Sequence, residues 1–255
     1  MTAAINRRGS LTHLEEAFAS VHWFIPAYLP LGFITPLGGR ILASQGKFSH
    51  DDLERELSQA YVPTTLAAML CERYRRALVV ADHAKSISEA IEAHFLGLDH
   101  IAAAGLVPVV EGIGRELLRL RGQKAKRVTN AFSALAKSSK ARNVGDIGEI
   151  ISMMDSFAVF SERVLYADTS RIELGDGTNR HGMTHGAYRD SDFGRPLNFY
   201  KILGAVDFLT LVSGMDRALS WLHPAATPES MTLARYYQEL QTMRQHRPTA
   251  SAGTP

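Results

Sequence analysis

Between Gly175 and Gly194 the chain reads GDGTNRHGMTHGAYRDSDFG: two arginines, three aspartates, two histidines and five glycines in twenty positions. Glycine at this density disfavours a helix, and histidine packs poorly in an apolar core, so chemistry rather than folding accounts for these residues. Arg180 and His185 are the most informative pair. A guanidinium grips phosphate oxygens through two parallel hydrogen bonds and keeps its charge throughout a reaction. An imidazole titrates near neutrality and can move a proton at physiological pH. One group that holds negative charge and one that moves protons suffice to cleave RNA through its own 2′-hydroxyl, with no metal and no cofactor. Asn179 and His181 are expected to orient the site by hydrogen bonds. Gly182 and Gly186 would let a large substrate backbone come close.

Two other readings of the stretch compete. His181 and His185 are four apart, which stacks them on one face of any helix there and could ligate a metal, with Asp176, Asp190 or Asp192 as further ligands. A Gly-rich turn with local side-chain hydrogen bonds is the plainest reading, but it leaves Arg180 and two histidines without a purpose. Geometry also sets a condition on the first reading. Residues five apart on a regular helix differ by about 140° in direction, so Arg180 and His185 meet only if the turn is distorted or if two chains share the site.

Upstream, Glu111 lies in the apolar VPVVEGIG, where its expected partner is Arg115 at i+4, an ordinary helix pair. The alternative is a buried carboxylate that orients an active-site arginine or histidine. From Arg115 to Arg142 nine basic residues face a single acid, Glu116. Of these, Arg115, Arg119, Arg121, Lys124, Lys126 and Arg127 are candidates to hold an RNA backbone. A solvated helix end explains them equally well, since Phe132 is the only aromatic residue there to stack on bases. His83, His94 and His100 do not share one helical face and are expected to be core or surface residues. The GxG of EGIGRE has no preceding strand and no third glycine, and no Walker loop, GxSxG or HExxH occurs.

The elements that must position these residues are helical. Ser49 can cap HDDLERELSQAY; Ser86–His100 repeats apolar residues with helical spacing; the next segment is expected to be broken or kinked near Gly105 and Pro108 and closed by Gly122. Asp146–Ala167 reads as a buried helix, and another begins at Pro196 with a stripe Leu197, Tyr200, Leu203, Val206, Leu209, Val212. No run of alternating strand residues occurs. The expected class is all-α, a helical bundle (residues 81–225) with an N-terminal helical extension (1–80) and a C-terminal helix and disordered tail (226–255).

The chain has 255 residues, 45% of them hydrophobic, and a net charge of +2, so overall charge does not announce a nucleic-acid binder. The single cysteine, Cys71, excludes an internal disulfide and fits a reducing cytoplasm. Ala17–Gly39 carries no charged residue, but three prolines and three glycines there argue against a membrane span.

RHGMTH resembles the signature of the HEPN superfamily: arginine, a polar residue, three residues, then histidine. Arg180, His181 and His185 take those places, and the flanking AHFLGLDHIAAAGLVPVVEGIGREL and LNFYKILGAVDFL resemble a bacterial branch over residues 85–215. The resemblance implies a small helical bundle that dimerises to bring two arginine–histidine motifs into one cleft. It also implies a metal-independent endoribonuclease leaving a 2′,3′-cyclic phosphate and a 5′-hydroxyl, acting as a toxin or in anti-phage defence, with an antitoxin or defence partner. Some members are catalytically silent binding modules. The first eighty residues and the glycines flanking His185 depart from the core motif.

Overall fold

Ser49 opens its helix as its sequence directs: the hydroxyl accepts from the Asp52 amide at 3.1 Å and the Asp52 carboxylate accepts from the Ser49 amide at 3.0 Å, a reciprocal cap. This helix belongs to an all-α computed structural model. It describes residues 11–123, 148–168, 177–215 and 222–247, together with Phe132, Ala134, Leu135, Lys137, Ser138 and Ser220. In chain order the helices are α1 (Thr12–Ser20), α2 (Leu31–Ala43), α3 (His50–Ala60), α4 (Pro63–Met69), α5 (Ala84–Phe95), α6 (Asp99–Leu120), α7 (Gly148–Phe160), α8 (Arg180–Thr184), α9 (Pro196–Gly214) and α10 (Pro228–His246). π-helical turns extend α4 to Tyr74 and α7 to Leu165. No strand occurs among the described residues, and none of their helices is long and apolar enough to cross a membrane.

α9 is the axis of the bundle. Every residue from Leu197 to Gly214 is buried, so the helix is enclosed on all sides rather than along the single stripe its spacing suggests. Its polar side chains are accordingly satisfied from other elements. Lys201 Nζ donates to the Val21 carbonyl at 3.1 Å and Ser213 to the Leu78 carbonyl at 2.6 Å. The Asp207 carboxylate accepts from Tyr74 and Tyr61. α6 and α3 pack on α9, α4 and α5 pack on α10, and α1 lies against α7. One core thus draws on residues from Leu11 to Leu240, those before position 80 included.

α5 and α6 part at Gly97, whose φ of +74° turns the chain. The break expected near Gly105 and Pro108 is absent, because α6 runs unbroken from Asp99 to Leu120. Both residues lie on its exposed face, where water serves the carbonyl that proline leaves without a partner. Gly122, at φ +70°, closes the region as its position suggests. Glu111 projects from the middle of α6 toward α8.

Candidate active site

The short helix α8 is started by Asn179. Its side-chain oxygen accepts from the Gly182 amide at 3.0 Å, while its amide nitrogen donates to the carbonyls of Val164 at 2.8 Å and Ala167 at 3.0 Å. Asn179 is fully buried and binds the start of α8 to the end of α7. One residue earlier, Thr178 accepts from Asn198 Nδ2 at 2.8 Å, which ties the same point to the first turn of α9. Asn179→Ala removes a cap and two further hydrogen bonds and is expected to cost about 2–4 kcal/mol in denaturant unfolding. Asn179→Asp, which keeps the acceptor but not the donors, is expected to recover only the cap's share of that loss.

α8 ends at Thr184, and His185 leaves helical geometry at φ −107°, ψ 10°. The turn is therefore distorted, and Arg180 and His185 meet within one chain: Arg180 Nη1 donates to His185 Nε2 at 3.0 Å. The same Nη1 donates to His181 Nδ1 at 3.1 Å. Because a guanidinium can only donate, both ring nitrogens must carry lone pairs, which places the protons of the neutral rings on His181 Nε2 and His185 Nδ1. The two imidazoles stack with centroids 5.5 Å apart, as their spacing of four implies. Burial holds the His181 imidazole below its ordinary range, followed by the charges of Arg180 and His185, against a smaller upward pull from Glu111 and Asp168. His181 is thus kept in the neutral form that can accept from Arg180.

Glu111 completes the cluster, and here the expectation from spacing is corrected. Its closest cation is Arg180, with Arg180 Nε 2.6 Å from Glu111 Oε1, whereas Arg115 stands 3.9 Å from the other oxygen. The Nε–Oε1 approach lacks the alignment of a hydrogen bond and is a close ion pair, 24% and 15% exposed on its two sides. The pairing at i+4 is weaker because Arg115 points into solvent while Arg180 is delivered from another element. Glu111 and the two histidines hold Nε and Nη1, and no hydrogen bond engages Nη2 among the described residues.

The glycines serve differently from the sequence expectation. A Cβ on Gly182 would come within 2.3 Å of the Tyr188 ring, so the space beside Gly182 is filled by Tyr188 and not open to a substrate. Gly186, at φ +70°, makes the turn after His185 and is open on its outer side. Of the carboxylates considered as metal ligands, Asp192 accepts from the Arg189 amide at 2.7 Å, and Asp176 lies outside the described residues. Among the described residues no three His, Cys, Asp or Glu side chains converge as a metal-ligand set.

The basic residues divide. Arg115 lies beside the site, one turn beyond Glu111 on the same side of α6. Arg119 forks onto Glu116, with bonds of 2.7 and 2.5 Å, on the exposed surface. Arg121 donates to Ser138 Oγ at 2.9 Å and to the Leu135 and Val212 carbonyls, so its guanidinium is engaged in packing rather than presented to a ligand. Lys124, Lys126 and Arg127 lie outside the described residues. Sequence reasoning missed Tyr166, whose buried hydroxyl has no hydrogen bond among the described residues and whose phenol is shifted upward by burial and then by the charge of Glu111. Its only signal was its place at the end of the methionine- and phenylalanine-rich helix. Comparisons with known protein families, with curated proteins and with solved structures found no match to this chain.

Proposed function

We propose that the protein is a metal-independent endoribonuclease of the HEPN type, with Arg180 and His185 as its catalytic residues. The observation that carries this reading is the 3.0 Å contact between Arg180 Nη1 and His185 Nε2 in a partly open cluster anchored by Glu111. A phosphodiester entering the cluster meets the unengaged Nη2 of Arg180. As the guanidinium shifts onto two phosphate oxygens, Nη1 leaves His185 Nε2 and exposes its lone pair. His185 then takes the 2′-hydroxyl proton, the O2′–P bond forms, the P–O5′ bond breaks, and the departing O5′ takes a proton from water. The products are a 2′,3′-cyclic phosphate and a 5′-hydroxyl. Arg180 neutralises charge as it develops on phosphorus oxygens, while His181 and Glu111 hold its direction.

The toxin or defence setting, a homodimer with facing motifs and a cytoplasmic location belong to this same reading. They rest on the resemblance of RHGMTH and its flanks. A second reading is favoured by one observation: the ion pair with Glu111 occupies part of Arg180, which suits a silent module that binds a nucleotide or a protein. Incubation of the purified protein with total RNA in EDTA separates the two. Cleavage that persists in EDTA is the expected outcome, and intact RNA under all conditions would favour the module. Activity abolished by EDTA, with metal in the purified protein, would favour a hydrolase built on His181 and His185.

A further inference from the structure

Arg115 lies against the Arg180 cluster yet takes no part in the cleavage described above. Arg119, one turn further along α6, shows an ordinary helix pair: its guanidinium forks onto Glu116 through two hydrogen bonds. Arg115 does not close on Glu111 in this way. Its Nη2 stops 3.9 Å from Glu111 Oε2, beyond hydrogen-bond reach, and its side chain is 65% exposed. No hydrogen bond engages its guanidinium among the described residues. Across the carboxylate, Arg180 approaches Oε1 to 2.6 Å from another element, and Glu111 is held toward that closer cation.

The result is two guanidiniums at opposite oxygens of one carboxylate, Arg180 partly enclosed and Arg115 open to solvent. Glu111 balances one of these cations and leaves the other in excess. The neighbouring acids do not cancel that excess: Glu116 is taken up by Arg119, and Asp168 exerts the weakest of the charges felt by His181. The position of Glu111 decides how the two cations can act on a polyanion. A phosphate midway between them would face the carboxylate at contact distance, and like charges that close repel strongly in partly enclosed surroundings. The two arginines therefore cannot share one phosphate. A strand that gives one phosphate to Arg180 carries the next a single nucleotide away, and Arg115 meets it with all five of its N–H donors. A nucleoside monophosphate has no second phosphate to offer.

We propose that Arg115 holds the phosphate next to the scissile one, so that the substrate is a strand of RNA gripped through two successive phosphates. The proposal rests on the assignment of the scissile phosphate to Arg180. A 2′-O-methyl RNA hexamer, which lacks the attacking hydroxyl, tests it by fluorescence anisotropy over a series of salt concentrations. Arg115→Ala is expected to weaken binding by about 5- to 10-fold at low salt and to flatten the slope of log K against log salt by about 0.7, the share of one phosphate on a single strand. Arg115→Lys should restore most of both, since an ammonium serves a phosphate as a point charge. Arg235→Ala, which removes an exposed cation on α10, should change neither. 5′-AMP should bind weakly, and no less to Arg115→Ala than to the wild type. On cleavable RNA, Arg115→Ala should raise KM with kcat little changed, because the contact is the same before and during bond breaking. Circular dichroism checks that each variant is folded. If the wild type binds the hexamer as described but leaves RNA intact, the nuclease reading fails and the two-phosphate contact stands. The contact itself is overturned if the wild type does not bind the hexamer, if Arg115→Ala matches it in affinity and slope, if Arg115→Lys is as weak as Arg115→Ala, or if AMP loses as much affinity as the hexamer.

Discussion

Arg180→Ala is expected to slow RNA cleavage by about 100- to 1000-fold, the loss found when a preorganised charge-stabilising donor is removed. His185→Ala should cost a similar or larger factor, on the order of 100- to 10,000-fold, because it removes the proton acceptor. The two side chains act on one phosphodiester through one contact, so the double variant should fall well short of the product of the single losses. Arg180→Lys is expected to rescue little. A lysine ammonium cannot meet Glu111 through one nitrogen and both imidazoles through another while keeping a third donor for phosphate. His185 is exposed, so its loss should leave circular dichroism and the unfolding midpoint nearly unchanged. Arg180→Ala also strips Glu111 of its closest cation and should lower stability by up to about 1 kcal/mol, with circular dichroism unchanged. Single-turnover cleavage at saturating protein gives the direct comparison.

Asp207 carries the largest expected effect on stability. It is fully enclosed in the middle of α9, where burial raises its carboxyl to about 7, while hydrogen bonds from Tyr74 and Tyr61 act in the opposite direction. The sign follows from proton binding. In the unfolded chain the group titrates near pH 4, so between about pH 4 and 7 the folded state holds a proton that the unfolded state has released. Stability from this group is therefore complete in acid and is lost as pH rises through 7. Between pH 5 and pH 8 the loss amounts to about 3 kcal/mol. Asp207→Asn stays neutral throughout. Relative to wild type it should gain about that amount across the same interval, less stable near pH 5 and equal or more stable near pH 8. Asp207→Ala leaves two buried tyrosine hydroxyls without their acceptor and should cost about 3–5 kcal/mol near pH 5. Urea unfolding of the three proteins at both pH values measures each term.

The helices were legible where local chemistry decides them. Ser49 with Asp52, Pro196 and Gly122 each act at the level of one or two turns, and their structural roles match their sequence positions. That α6 is not broken at Pro108 has a tertiary cause: this face of the helix is turned to solvent, where an unpaired carbonyl costs little. At the candidate site, sequence showed the residue types and the stacking of His181 on His185. It could not show that α8 starts at Arg180, since that depends on Asn179 reaching the carbonyls of Val164 and Ala167 at and beyond the end of α7. Nor could it rank the partners of Glu111, because an i+4 neighbour is visible along the chain and an arginine 69 positions away is not. The His94–Asp99 pair escaped notice for a related reason: the two residues belong to different helices and meet only because Gly97 turns the chain between them.

The central claim concerns the route of bond cleavage, and the products report it most directly. A short RNA cut by the protein in EDTA should yield fragments ending in a 2′,3′-cyclic phosphate, and one 2′-deoxynucleotide placed on the 5′ side of the cut should block that cut alone. Cleavage that continues past the 2′-deoxynucleotide, or that leaves a 3′-hydroxyl, would contradict attack by the 2′-hydroxyl and with it the roles given to Arg180 and His185.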